Sequence, residues 1–171
     1  MIIIHIIDVI GYSGSGKTSF IVNAIKSLKK NLNYNTAVIK NVKHHPVDKK
    51  GKDSYKFNEA GASFSVIQNI NNHTAIFLEN NDLNFESLLK WLQKGPYNID
   101  IIFTEGFRNF YNPTVLCVSN LNDIEEQLSE NIKMISGKIC LGNLKSKMIL
   151  NLPIIDIESE FFKFTGIFNL D

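Results

Sequence analysis

Short apolar runs alternate along the chain with segments that have helical spacing. The first run, IIIHIIDVI, precedes KTSFIVNAIKSLKKNL, in which one helix face collects Phe20, Ile21, Ala24, Ile25 and Leu28. The alternation continues through TAVIK, DSYKFNEAGA, FSVIQNI, TAIFLE, FESLLKWLQK, IDIIFTE, PTVLCVS, DIEEQLSENI, GKICLG, LPIIDI and ESEFFKFT. This order predicts an α/β fold with a largely parallel sheet and helices on both faces. FSVIQNI and TAIFLE are adjacent, which leaves room for a mixed edge.

Length and charge narrow the class of protein. With 171 residues, 44% of them apolar, the chain can bury one substantial core, and we expect a single domain over residues 1–171. Its 18 basic and 17 acidic side chains leave a formal charge of +1, which argues against a general nucleic-acid surface. The opening MIIIHIIDVI is too short to span a bilayer and is interpreted as a buried strand. Cys117 and Cys140 lie inside separate apolar runs, and we expect both to be reduced, in a cytoplasmic protein.

The segment GYSGSGKTSF stands between the first predicted strand and the first predicted helix. Gly11, Gly16, Lys17 and Thr18 match G-x-x-x-x-G-K-[ST], the phosphate-binding loop of P-loop NTPases. Glycines there turn successive N–H groups toward an anion, the lysine reaches the β and γ phosphates, and the hydroxyl holds Mg²⁺. A glycine-rich turn without a ligand is the alternative. The residues expected to bind the nucleotide here are Gly11, Ser13, Gly14, Ser15, Gly16, Lys17, Thr18 and Ser19.

An acidic group is also expected at the end of another parallel strand. In IDIIFTEGFR, Glu105 ends the predicted strand and Gly106 permits close approach of the backbone to a ligand. We expect Glu105 to join Thr18 at the metal and Lys17 in catalysis, whereas simple capping of the strand is the alternative. Arg108, the only arginine of the chain, suits a bidentate phosphate contact or is an ordinary surface cation.

A polar segment, NVKHHPVDKKGKDSYKF, carries a third cluster. His44, His45 and Lys52 precede a helix that we expect to be capped by Asp53 or Ser54. We expect an anion-binding loop, with a merely solvated charged loop as the alternative. A zinc site is disfavoured because neighbouring side chains on an extended segment point apart.

With GYSGSGKTSF, VIKNVKHH, GKDSYKFNEAGA and IIFTEGFR in this order, the chain resembles the MobB family, the molybdopterin-guanine dinucleotide biosynthesis adaptors. The match covers roughly residues 1 to 120. The resemblance implies a homodimer that binds GTP and Mg²⁺, hydrolyses GTP slowly, and assists the enzyme that joins GMP to molybdopterin. By position it assigns nucleotide-site roles to residues 11–18, His44, His45, the Gly51–Ser54 segment and the Glu105–Phe107 segment.

The chain departs from the family at several positions. Lys50 stands before Gly51 where the family commonly has proline, and Arg108 stands where lysine is frequent. Asn120 and Asp123 resemble an N-K-x-D guanine motif without its lysine. An aspartate there would accept from guanine N1 and N2, but capping of a helix explains it equally well. The choice between GTP and ATP therefore stays open at this point.

Two other functions fit the same phosphate loop. A small-molecule kinase would transfer the γ-phosphate of ATP or GTP to an acceptor covered by the Asn41–Ser54 loop. A nucleotide-independent binding module would retain the loop without Mg²⁺-dependent affinity. The C-terminal segment LPIIDIESEFFKFTG is expected to add an apolar strand and helix to the core.

Overall fold

The computed structural model describes residues 4–42, 45–71, 73–78, 84–108, 110–142 and 146–170. Its helices and strands are, in chain order, β1 His5–Ile10, α1 Lys17–Leu32, β2 Thr36–Lys40, α2 Asp53–Glu59, β3 Ser65–Gln68, β4 Thr74–Phe77, α3 Phe85–Gln93, β5 Ile101–Glu105, β6 Thr114–Cys117, β7 Ile132–Ser136, β8 Met148–Ile149, β9 Leu152–Pro153 and α4 Phe161–Phe168. The chain divides into two compact units, a first unit of residues 1–41 and 97–171 and a second unit of residues 42–96. Within the described ranges, no helix is both long and apolar enough to cross a membrane.

The first unit is built on a five-stranded sheet in the order β2-β5-β1-β6-β7, with every pair parallel. Strand β1 lies between β5 and β6, and its register runs from His5 opposite Ile101 to Val9 opposite Glu105. Because the strands are parallel, their carboxyl ends share one edge of the sheet, where α/β proteins bind their ligands. The predicted α/β fold with a largely parallel sheet is confirmed.

Alternation along the strands gives the sheet two buried faces. One face packs against α1 and α4, and the predicted helix residues Phe20, Ile21, Ala24 and Leu28 are all buried there. The opposite face forms a second cluster of Ile10, Leu116, Val118, Ile124, Ile132, Ile135, Ile139 and Ile154. The expected contribution of ESEFFKFT to the core is confirmed, because α4 buries Phe161, Phe164, Thr165 and Phe168.

Two secondary-structure predictions for the part of the chain after β6 were wrong. The strand after β6 is Ile132–Ser136, whereas the GKICLG run, grouped with the strands by its apolar residues, forms a 3-10 helix at Lys138–Leu141. Gly137, at φ 93°, ends the strand and turns the chain. The helical segment expected from DIEEQLSENI is instead two short 3-10 helices, Leu121–Asp123 and Glu125–Gln127.

The second unit contains α2, α3 and the antiparallel pair β3-β4. These strands form a separate two-stranded sheet, so the mixed edge is not formed by the described strands of the large sheet. Helix α2 begins at Asp53 with Lys52 as its N-cap, and no side chain caps it, so the capping role expected for Asp53 or Ser54 is wrong. The Ser54 hydroxyl instead donates to Asp48 Oδ1 at 2.9 Å.

Candidate functional site

The loop between β1 and α1 is shaped by glycines at positive φ. Gly11, Gly14 and Gly16 have φ of 144°, 77° and 99°. A Cβ on Gly11 would lie 2.1 Å from the carbonyl oxygen of Cys117, so the backbone must be bare there. Gly16 is the N-cap of α1, with no side-chain cap and no acidic residue in the first turn. The first N–H groups of the helix therefore face outward at its positive end and suit an anion.

Lys17 places a positive charge over the same loop. Its Nζ donates to the carbonyl oxygens of Gly11 at 3.0 Å and Tyr12 at 2.8 Å. An ammonium group has three donors, so one remains for a ligand in this position. The lysine and the helix terminus together concentrate positive charge at one place in a chain of nearly zero net charge.

A buried carboxylate from another strand reaches the first turn of α1. Glu105, only 7% exposed, ends β5 and accepts a hydrogen bond from Thr18 Oγ1, at 3.2 Å from each carboxylate oxygen. Lys40 Nζ lies 3.2 Å from Glu105 Oε1. Gly106 follows at φ 85° and turns the chain away at the end of the strand. Carboxylate and hydroxyl oxygens are ligands that Mg²⁺ accepts, and both are present at this point.

Lys40 was not singled out from the sequence. It is the last residue of β2 and stands opposite Glu105 in the parallel register. The sequence shows only a lysine at the end of a predicted strand. The order of the strands in the sheet is what brings this lysine next to Glu105. Because β5 lies directly beside β2, the ammonium offsets part of the charge of the buried carboxylate.

The turn after β7 packs against the loop between β1 and α1. The backbone N–H of Lys138 donates to the carbonyl oxygen of Ser15 at 3.0 Å. A Cβ on Gly137 would lie 2.4 Å from that same oxygen. Ser15 is 2% exposed, and its hydroxyl has no hydrogen-bond partner among the described residues. Gly137 was also missed, since a single glycine after a strand carries no chemical signal of its own.

Arg108 contacts protein groups close to the loop. Its Nη2 donates to Gln127 Oε1 at 2.7 Å, and its guanidinium carbon lies 5.8 Å from the centre of the Tyr12 ring. The Tyr12 hydroxyl donates to Glu126 Oε2 at 2.9 Å, and this hydrogen bond raises the pKa of Tyr12. Gln127 Nε2 donates in turn to the carbonyl oxygen of Asp123 at 2.6 Å. These contacts connect the tip of the loop to the segment after β6.

Asn120 and Asp123 lie at the start of the first 3-10 helix. They form a capping box in which the backbone N–H of Asn120 donates to Asp123 Oδ2 at 3.3 Å. The capping role that the sequence allowed for Asp123 is thus present, and one oxygen of its carboxylate is engaged with the backbone of Asn120.

The remaining predicted residues belong to the second unit. His45 and Lys52 are exposed, and Asp53 pairs with Lys56 at 3.5 Å. Ser54 is buried against Asp48, while His44 lies outside the described residues. In the part of the chain that the structure describes, no three His, Cys, Asp or Glu residues are grouped as a metal site requires. The loop, Glu105, Gly106, Arg108, Asn120 and Asp123 all belong to the first unit.

A second buried carboxylate, Asp8, lies within the sheet in the middle of β1. It is 2% exposed and accepts hydrogen bonds from Thr104 Oγ1 and from Asn112 Nδ2, the latter at 3.2 Å. Burial raises the pKa of this carboxyl, and the two hydrogen bonds partly oppose the shift. Asp8 therefore ties β1 to its neighbours on both sides.

Comparison with known proteins gives a consistent result. The family model described as "Molybdopterin guanine dinucleotide synthesis protein B" matches residues 6–136. The chain is 40% identical over 105 residues to a putative molybdopterin-guanine dinucleotide biosynthesis adapter protein of Methanocaldococcus jannaschii, covering 61% of this chain and 41% of that protein. It is 32% identical over 115 residues to the adapter protein of Haemophilus influenzae, covering 66% of this chain and 62% of that protein. The chain thus spans less than two thirds of the length of either relative.

The fold agrees with this assignment. The crystal structure of Bacillus subtilis MobB superposes with a TM-score of 0.74 over 98% of this chain and 99% of that one, at 21% sequence identity. At that identity the likeness concerns the fold, while the family model covers well over half of the sequence. The chain belongs to the MobB family.

Proposed function

We propose that this protein is a GTP-binding adaptor in molybdenum cofactor biosynthesis, which assists a partner enzyme that attaches GMP to molybdopterin. Membership of the MobB family supports the pathway. The observation that carries the nucleotide part is the contact of Thr18 with Glu105 beside the loop that holds Lys17. It joins a phosphate-binding loop to a metal-competent carboxylate from another strand.

The residues of the loop fit a triphosphate. Gly14 leaves its part of the loop open, since a Cβ there would meet nothing within 4 Å, and no side chain caps the first N–H groups of α1. Lys17 supplies a positive charge beside the loop, and the buried Ser15 hydroxyl, which has no hydrogen-bond partner among the described residues, is a further group that a bound phosphate would satisfy. The loop backbone, the Lys17 ammonium and the Ser15 hydroxyl each favour an anion bound at this loop.

Thr18 and Glu105 fit a magnesium ion that accompanies the nucleotide. In this role Thr18 offers its hydroxyl oxygen and Glu105 its carboxylate, either directly or through water. The ion neutralises charge on the phosphates when it is bound. Lys40 already contacts Glu105 Oε1, so it holds this carboxylate oriented at the end of β5.

The homodimer and the partner enzyme are proposals that follow from the family resemblance. Phe107 and Phe110 stack with their ring centres 5.1 Å apart, and Tyr111 beside them is 91% exposed. Aromatic side chains are enriched in protein interfaces, which makes this segment our candidate contact surface.

Calorimetric titration with a non-hydrolysable GTP analogue, with and without Mg²⁺, tests the proposal. Lys17→Ala should weaken binding by about ten-fold or more, since a hydrogen bond to a charged group contributes about 1.5–3 kcal/mol. Lys30→Ala removes the same charge from an exposed position late in α1 and should bind as the wild type does. Equal affinity of Lys17→Ala and wild type contradicts the proposal.

Product analysis separates the adaptor from a kinase. A slow GTPase releases inorganic phosphate to water, whereas a kinase produces a phosphorylated acceptor that mass spectrometry detects. Preferential binding of an ATP analogue in the same titrations would favour the kinase, and absence of Mg²⁺-dependent binding would favour a nucleotide-independent module.

A further inference from the structure

A cavity of about 160 Å³ adjoins the phosphate loop inside the first unit. Gly16 and Ser19 form its side nearest the loop, and the other walls come from α1, the turn after β7 and the segment after β9. Its polar lining residues include Asn23, Lys138, Asp156 and Glu158, and its apolar ones include Phe20 and Ile157. Apolar walls with a few convergent polar groups are typical of sites for small-molecule ligands.

The position of this cavity suits the nucleoside part of a nucleotide. A nucleotide whose outer phosphates bind the loop carries its ribose and base on the innermost phosphate, so these must lie next to the loop. Gly16 ends the loop and Ser19 lies in the first turn of α1, and both residues line the cavity, so the loop and the cavity are continuous. The inference therefore rests on the proposed binding of nucleotide at the loop.

Asp156 contributes a carboxylate to the lining of this cavity. Its Oδ1 accepts from the backbone N–H of Glu158 at 3.2 Å, and its Oδ2 accepts from Ser159 Oγ at 3.0 Å. These two bonds fix the orientation of the carboxylate, and each oxygen keeps further acceptor capacity. Two adjacent acceptors complement the N1–H and 2-amino donors of guanine. Adenine has an acceptor at N1 and no amino group at C2, so it leaves the carboxylate unpaired.

The other candidate for this role, Asp123, is not among the residues that line this cavity, whereas Asp156 is. We propose that the cavity between α1 and the Ser136–Leu141 and Asp156–Glu158 segments binds the nucleoside, and that the Asp156 carboxylate selects guanine over adenine.

The first test uses the wild-type protein alone. Calorimetric titration with GDP and with inosine diphosphate, which lacks only the 2-amino group, should show a loss of affinity of about ten-fold for the inosine compound. Equal affinity for the two overturns the role of Asp156, because a carboxylate at that edge would lose one hydrogen bond. This comparison needs no variant and does not depend on folding of a mutant.

The second test reverses the hydrogen-bond pattern. Asp156→Asn keeps an acceptor for the local turn but presents an amide donor, which pairs with the 2-oxo group of xanthine instead of the 2-amino group of guanine. We expect its ratio of affinities for GDP and xanthosine diphosphate to fall at least about ten-fold from the wild-type value. Asp123→Asn, the matched control, should keep the wild-type ratio.

The outcomes distinguish this inference from the proposed function. If the wild type binds GDP and Asp156→Asn keeps the wild-type ratio, the base subsite is wrong while nucleotide binding stands. If Asp123→Asn alone shifts the ratio, the base is read by the segment after β6. If the wild type binds none of these nucleotides, with or without Mg²⁺, both proposals fail.

Discussion

Replacing Gly137 by alanine should destabilise the first unit strongly, although this residue lies outside the phosphate-loop motif. Gly137 follows β7 at φ 93° and ψ −152°, a backbone conformation that residues with a Cβ rarely adopt. The added Cβ would lie 2.4 Å from the carbonyl oxygen of Ser15 and 3.0 Å from the Cβ of Cys117. Both neighbours are buried, and the backbone of Ser15 cannot move without moving the loop.

The expected cost follows from these two effects. A residue held in a disfavoured backbone region costs about 1–3 kcal/mol. Overpacking a well-packed site by one carbon costs about 1–3 kcal/mol more. We therefore expect Gly137→Ala to lower the free energy of unfolding by about 2–6 kcal/mol. Since the strain falls on Ser15, nucleotide affinity of the folded variant should fall as well.

Urea unfolding followed by far-ultraviolet circular dichroism measures this change. The only tryptophan, Trp91, is in the second unit, so its fluorescence does not report directly on the turn after β7. Gly166→Ala is the matched control, because a Cβ there meets nothing within 4 Å in the exposed face of α4. It should stabilise the protein by about 0.5–1 kcal/mol. A loss below about 0.5 kcal/mol for Gly137→Ala, with an unchanged urea dependence, would refute the bracing role.

Three further results are expected. Phe164→Ala should lower the free energy of unfolding by about 3–5 kcal/mol. Phe162→Ala, at a side chain that is 76% exposed on the same helix, should lower it by less than about 1 kcal/mol. Equal losses for the two variants would contradict the packing of α4. The pKa of the Asp8 carboxyl is raised above 3.8 in the folded state, so the folded protein keeps the carboxyl proton to higher pH than the unfolded chain does. The free energy of unfolding of the wild type, relative to that of Asp8→Asn, should therefore fall as pH rises above that value. A difference between the two proteins that stays constant from about pH 4 to 7 in urea titrations would contradict this prediction. Burial raises the pKa of the Cys117 thiol to about 12. In a Cys140→Ser variant, a thiol reagent should therefore label Cys117 only on unfolding. Rapid labelling of the native protein would show instead that the Cys117 thiol is accessible.

Part of the candidate site could be predicted because its residues are adjacent in the chain. The order of Gly11, Gly16, Lys17 and Thr18 between a strand and a helix has few structural solutions. Glu105 could also be selected, since the end of a buried strand beside a glycine is a recognisable position. The hydrogen bond between Thr18 and Glu105, which are 87 positions apart, depends on β5 lying next to β1, which is a property of the sheet.

Local patterns by themselves determined the apolar face of α1, the buried run of β1 and the shape of the phosphate loop, because each depends on neighbouring residues and backbone preference. Only the tertiary structure decided that Lys40 contacts Glu105, that Gly137 packs under Ser15, and that Asp156 lies beside Ser19 in one cavity. Each of these relations joins segments far apart in the chain. They follow from the order of strands in the sheet and from close packing, which no periodicity along the sequence encodes.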